Sequence, residues 1–339
     1  MSEIRLHNVT KRFGDIIAVD DVSIDVNEGE FVVLLGPSGA GKTTTLRLIA
    51  GLERPDEGEI FIDGEAATDM HPADRDVAFI FQQYSLYPHL TVFGNLAFPL
   101  RSPRRRTSEA EVSARVRSVA QMLHIESKLA NMATHLSGGE MQRVAIGRAL
   151  VREPKVFLMD EPLSSLDAKL REELRIELKR LHRSIGATII YVTHDQVEAT
   201  TLADRIGILE HGRIVQMGTP REVYGNPASL SAAQRLGSPP INLLPSALFD
   251  PAAMPAGTST VAIRPEDIVL HGTDARDALN LRVLEYSPLR HLLILDREGT
   301  AIVATTMTER NFTPGQTVGV SLPPRSLLYF RSDGRRIPA

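Results

Sequence analysis

Near the start of the chain, hydrophobic and polar positions alternate in short pieces. Ile4-Arg-Leu-His-Asn-Val9 and Val22-Ser-Ile-Asp-Val26 each read as a half-buried strand. Phe31-Val-Val-Leu-Leu35 breaks the alternation, because an unbroken apolar run suits a strand covered on both faces. A helix-like stretch from Lys42 to Ala50 follows, and Glu59-Ile-Phe-Ile-Asp63, closed by Gly64, reads as a hairpin strand. From Ser108 to His124 the period lengthens, with Val112, Val116, Val119, Ala120 and Leu123 on one helical face. Helices are also expected over Gly139–Val151 and Ala168–Ser184, followed by apolar strands at Val156–Met159 and Thr188–Val192. Buried strands alternating with helices predict an α/β fold in which helices cover a parallel sheet.

Beyond about residue 236 the helical period fades. Gly237-Ser-Pro-Pro240, Pro245, Pro251 and Pro255 read as linker and turns. Short apolar or alternating runs then recur at Val261–Ile263, Leu279–Val283, Leu292–Leu295, Ala301–Val303 and Val318–Leu322. The pattern predicts a first domain over 1–235 and a small β-barrel-like domain over 236–339.

The chemistry concentrates where strands give way to helices. Gly36-Pro37-Ser38-Gly39-Ala40-Gly41-Lys42-Thr43-Thr44 lies between the Phe31–Leu35 run and the Lys42 helix, the context a phosphate-binding loop requires. Its glycines let backbone N–H groups wrap phosphate oxygens at the positive end of the helix. Lys42 supplies a fixed charge, and the Thr43 hydroxyl is the expected Mg²⁺ ligand. Asp160 and Glu161 leave the Val156–Met159 strand at the end where open α/β sheets bind ligands. Asp160 is placed to reach Mg²⁺, and Glu161 to orient and deprotonate an attacking water. An isolated Asp-Glu pair would be better read as a helix cap; beside a phosphate loop the catalytic assignment is preferred. Leu136-Ser137-Gly138-Gly139-Glu140 reads as a capped helix start whose N–H groups suit an anion.

Composition narrows the partners. The net charge of −4 over 339 residues argues against nucleic acid as the main partner. With no cysteine there are neither disulfides nor thiolate metal sites. The N-terminus lacks a secretion-signal pattern, and no stretch approaches the ~18 apolar residues that cross a bilayer. A soluble protein whose membrane role needs a partner is expected.

With the phosphate loop, the acid pair and the Ser-Gly-Gly motif in this order, the chain resembles the ATP-binding subunits of ABC transporters. It is most similar to the maltose-type importer ATPases, whose cassette precedes a regulatory domain. The resemblance implies a P-loop cassette made of a RecA-like core sheet, an antiparallel β-subdomain and a helical insert over about 88–152, followed by an OB-like TOBE domain. It further implies that Phe13 stacks on adenine, that Gln82 rather than Gln83 touches Mg²⁺ and the attacking water, and that His194 bonds the γ-phosphate. Taken alone, Phe13 fits a core position equally well, and a lone His after an apolar strand is more often structural.

In the family, Ser137, Gly138, Gly139 and Glu140 meet the ATP held by the other subunit, and Asp167 lies in the loop crossing the dimer interface. Glu140 and Ser165 depart from the commonest pattern, which has Gln and Asn there. The resemblance therefore implies an ATP hydrolase with ATP and Mg²⁺, acting as a homodimer on two permease subunits. An extracytoplasmic solute-binding protein acts through that permease, and the ATPase lies on the cytoplasmic face of a bacterial inner membrane.

Gly237–Leu244 resembles the segment that joins cassette to regulatory domain in importers of sugars and sugar-like polyols, and the resemblance leans toward such a cargo. Ile263-Arg-Pro-Glu-Asp-Ile-Val269 also recurs in polyamine, ferric-ion and sulfate importers. A translation or DNA-repair ATPase would bring tandem cassettes or a long coiled coil, and this chain has one phosphate loop and no sustained heptads. A nucleic-acid-binding tail would need a basic, aromatic-rich stretch, which is missing.

Overall fold

The computed structural model describes residues 2–102, 107–273, 278–306 and 311–338. It separates into two compact units, Met1–Pro220 and Arg221–Ala339. The first unit contains β1 (Ile4–Phe13), β2 (Ile16–Val26), β3 (Phe31–Leu35), β4 (Glu57–Ile62), β5 (Glu65–Ala66) and β6 (Val77–Ile80). It continues with β7 (Val156–Asp160), β8 (Thr188–Thr193), β9 (Arg205–Glu210) and β10 (Arg213–Gly218). Its helices are α1 (Lys42–Ala50), α2 (Val92–Ala97), α3 (Glu109–Met122), α4 (Gly138–Leu150), α5 (Ala168–Ile185) and α6 (Gln196–Leu202).

The core sheet runs β10-β9-β3-β8-β7-β6, parallel except for the edge strand β10. Every residue of β3, β7 and β8 is buried, as their unbroken apolar runs require. A second, antiparallel sheet, β2-β1-β4-β5, shares a core with it through Ile4, Leu6, Ile24, Val32, Leu34, Leu46 and Ile49. β1 and β2 outrun their alternating stretches because bulges between Leu6 and Arg12 break the period, with Asn8 at φ 48°. β6 and the β9–β10 hairpin were not foreseen; β6 is only four residues long.

α2, α3 and α4 form the helical group. A Cβ on Gly147 would sit 2.8 Å from Leu96 Cδ2, so the glycine lets α4 approach α2 closely. Asp167 caps α5 through the Leu170 N–H, and the helix ends at Gly186 in the left-handed region.

The second unit holds α7 (Pro220–Gly225, from its second residue), α8 (Leu230–Arg235), β11 (Asn242–Pro245), β12 (Thr260–Ile263) and β13 (Val269–His271). β14 (Leu279–Ser287), β15 (Leu292–Arg297), β16 (Thr300–Thr305), β17 (Thr317–Ser321), β18 (Leu328–Phe330) and β19 (Arg336–Ile337) complete it. Two antiparallel sheets, β11-β12-β18-β19 and β13-β17-β14-β15-β16, make the expected all-β fold. Residues 221–235 pack here because Ala233 of α8 is buried with Ile241, Ala262 and Phe330. The buried Arg264 guanidinium donates to the carbonyls of Tyr224, Ala233 and Leu236. Asn242 imitates a strand partner: its side chain donates to Val303 O at 2.8 Å and accepts from Val303 N at 2.7 Å. The Pro-Pro-Ile-Asn and Arg-Pro-Glu segments thus have structural duties inside this unit.

Candidate active site

Four neighbouring strands, β3, β8, β7 and β6, run parallel and end at one edge of the sheet. The phosphate loop leaves β3, His194 leaves β8, Glu161 leaves β7, and Phe81-Gln82 leaves β6. Strand carboxyl ends are where open α/β sheets bind ligands, because helix starts gather there.

The loop is held by close backbone contacts that only glycine permits. A Cβ on Gly36 would lie 2.3 Å from Leu209 O, and one on Gly41 2.3 Å from Ala18 O, with Gly41 at φ 100°. Gly41 leaves α1 without a side-chain cap, and no acid stands in its first turn. The N–H groups of that turn are therefore available to an anion. Ser38 and Gly39 are exposed, whereas Gly36, Ala40, Gly41 and Lys42 are buried.

Lys42, only 5% exposed, folds over its own loop. Its ammonium donates to the carbonyls of Gly36 and Pro37 at 3.0 Å each and lies 3.4 Å from Glu161 Oε1. The Thr43 hydroxyl donates to Asp160 Oδ1 at 2.9 Å. Burial raises the Asp160 carboxyl above its ordinary range, against the Thr43 hydrogen bond that lowers it. Glu161 is the first residue past β7 and sits at φ 42°, a left-handed conformation costly for a side chain with a Cβ. Its backbone N–H donates to Val192 O at 3.1 Å, and its other carboxylate oxygen meets His194 Nδ1 at 3.0 Å. Gln82 joins the set through Ser164: its amide donates to Ser164 Oγ at 3.3 Å, and that hydroxyl donates to Glu161 O at 2.9 Å.

Lys42, Thr43, Asp160, Glu161, His194 and Gln82 thus lie together in one connected group. Phe13, at the end of β1, keeps 46% of its surface exposed with the Lys11 ammonium 5.3 Å from its ring centre, which rules out the core alternative. The Ser137–Glu140 turn is built differently. Ser137 and Glu140 form a reciprocal capping box, and Glu140 pairs with Lys128 at 2.9 Å. Together these hold the Glu140 carboxyl below its usual range, the Ser137 N–H contributing most. Gly139 is buried, and a Cβ there would reach 2.6 Å from Leu170 Cδ2, so the glycine lets the Leu170 side chain of α5 pack closely on the start of α4. Asp167 is exposed beside its capping role.

Sequence reasoning overlooked Tyr191, Thr193, Glu198 and Arg171, which brace the ends of β7 and β8. The available signal was an acid, Glu198, among the apolar positions of a helix start.

The donor set fits a magnesium nucleotide. Hydroxyl and carboxylate oxygens converge at Thr43 and Asp160 next to an uncapped helix start, and Mg²⁺ takes few protein ligands beside phosphate oxygens. Among the described residues no cluster of three or more His, Cys, Asp or Glu offers a cage for another metal. No described helix is long and apolar enough to cross a membrane.

Fold and site together define a phosphate-loop ATPase cassette followed by a β-domain. The ABC transporter family profile matches residues 19–164 and the TOBE domain profile residues 261–330. Trehalose/maltose import ATP-binding protein MalK of Thermococcus litoralis is 49% identical over 278 residues, 80% of this chain and 74% of that protein. sn-Glycerol-3-phosphate import ATP-binding protein UgpC of Brucella abortus biovar 1 is 44% identical, covering 99% of both chains. Among solved structures, the post-hydrolysis dimer of the ATP-binding cassette MJ0796 bound to ADP and Pi aligns with a TM-score of 0.58 at 37% identity, over 64% of this chain and 99% of that one. The chain belongs to the ATP-binding proteins of ABC transporters and is an ATP hydrolase.

Proposed function

We propose that this protein powers an ABC importer for a sugar or sugar-like solute as a homodimer whose two ATP sites each need both chains. The observation that carries the proposal is the Glu161 carboxylate, held between Lys42 at 3.4 Å and His194 at 3.0 Å. ATP phosphates occupy the loop from Gly36 to Thr44, with the adenine stacked on Phe13. Lys42 and the first N–H groups of α1 bind β- and γ-phosphate oxygens. Thr43, Asp160 and Gln82 would hold Mg²⁺, which would supply charge neutralisation for the phosphates. Glu161 takes a proton from the water that attacks the γ-phosphorus as the bond to the ADP oxygen breaks, and His194 bonds the γ-phosphate.

Ser137, Gly138, Gly139 and Glu140 of a second copy complete the site, and Asp167 lies along the junction. ATP thereby closes the dimer and hydrolysis releases it. Closure is passed to two permease subunits through the segment after β6 and the helical group, on the cytoplasmic face of the membrane. Cargo is chosen by the permease and by an extracytoplasmic solute-binding protein. The relatives named for trehalose/maltose and sn-glycerol-3-phosphate import favour a carbohydrate or a related polyol phosphate.

Replacing Glu161 by Gln tests the assignment. ATP hydrolysis falls by ~10²–10⁴-fold while ATP still binds, and a nucleotide-bound dimer accumulates on size exclusion. Hydrolysis at the unmodified rate would remove Glu161 from the role of base.

A further inference from the structure

His194 exposes 57% of its side chain and is bonded to Glu161, so little packing fixes its ring. Its two neighbours, by contrast, are clamped. Thr193 Oγ1 donates to Glu198 Oε2 at 2.7 Å and accepts the Asp195 N–H at 3.0 Å. Tyr191 OH donates to the same Glu198 oxygen at 2.8 Å. Asp195 turns back to cap α6, accepting from Val197 N at 2.7 Å, and lies 3.7 Å from Arg171. Arg171 also donates to Leu166 O at 2.8 Å, in the loop that leads from Glu161 to Asp167.

Glu198 is the hub of this lattice and only 2% exposed. Burying a carboxylate is costly, and an apolar side chain of similar volume is often neutral or better for stability. The cost is visible as a carboxyl pushed above its ordinary range by burial. What the carboxylate provides is geometry: one oxygen receives two hydroxyls that lie two residues apart on β8, and the second hydroxyl fixes the N–H just past His194.

We propose that Glu198 is a positioning residue that sets the His194 ring against Glu161 by locking the turn from Thr193 to Asp195. This rests on the γ-phosphate role given to His194. Two variants test it in the full chain. Glu198→Ala removes the acceptor, and Thr193→Val keeps the carboxylate while removing the hydroxyl link, so a folding failure of the first leaves the second decisive. Each lowers kcat by ~10²-fold, the scale of a misplacement near 1 Å, with ATP affinity unchanged, and Glu198→Gln, which retains an acceptor oxygen, recovers most of it. The His194 Cε1–H NMR resonance, assigned by its loss in His194→Ala, shifts or broadens in Glu198→Ala and Thr193→Val. Unchanged kcat together with an unchanged His194 resonance in folded Thr193→Val overturns the proposal. Full hydrolysis by His194→Ala would instead overturn the role of His194, while the resonance still decides whether Glu198 positions the ring.

Discussion

The proposed mechanism gives two helix starts in this molecule the same task, receiving a nucleotide phosphate, and they are built in opposite ways. α1 begins at Gly41 with neither a side-chain cap nor an acid in its first turn, so its N–H groups wait for an external anion. α4 begins at Ser137 inside a closed capping box, with Glu140 bonded to the Ser137 N–H and to Lys128. The first start pairs with Lys42, Thr43, Asp160 and Glu161 in its own chain. In the second, the Ser137 and Glu140 N–H groups are taken by local side chains. An open start beside carboxylates of its own chain can hold ATP alone; a start already capped can add only its remaining N–H groups to a phosphate held elsewhere, as the proposed site shared between two copies requires.

The contrast can be broken at either end. The largest effect is expected from Gly41→Ala: the new Cβ would meet Ala18 O at 2.3 Å at a φ of 100°. Loss of measurable ATP binding by fluorescence titration should accompany a destabilisation of ~2 kcal/mol or more, read by denaturant melts. Near-normal ATP affinity in that variant would show that the open start is dispensable. Ser137→Ala comes next. Hydrolysis falls ~10²-fold while each chain still binds ATP, and loss of the cap costs ~1 kcal/mol of stability. If binding and hydrolysis fell together, the serine would be serving its own chain. The smallest effect belongs to Glu140→Gln. Gln can close the same capping box, and the partly exposed pair with Lys128 contributes at most ~1 kcal/mol, so the melting midpoint should barely move.

Which parts of this were legible in the sequence follows from how locally each is determined. β3, β7 and β8 were readable because full burial leaves an unbroken apolar run, and the loop after β3 because its glycines answer to close backbone contacts at Leu209 and Ala18. The capped start at Ser137 was readable because both halves of the box lie within four residues. β6 escaped notice because four residues carry too little pattern, and β1 was cut short because its bulges shift the period. Glu198 left only the trace of an acid among the apolar positions of a helix start, and Arg171 left none. Their partners are side chains and carbonyls on other elements, and local pattern does not say which partner a side chain finds in the tertiary fold. Asn242 and Arg264 carry a related lesson: segments that looked like family signatures of cargo serve to tie strands and helices within the second unit.

The absence of cysteine from the chain makes the central claim directly measurable. Ser38 in the phosphate loop and Ser137 at the start of α4 are both exposed. One batch of protein carries Ser38→Cys, another Ser137→Cys, each with Glu161→Gln to retain ATP, and the two are mixed with a short thiol cross-linker. A shared site predicts a covalent heterodimer that forms with Mg²⁺-ATP and not with ADP. Equal cross-linking with and without ATP, or none in its presence while ATP remains bound, would contradict a site closed by Ser137 of a second copy.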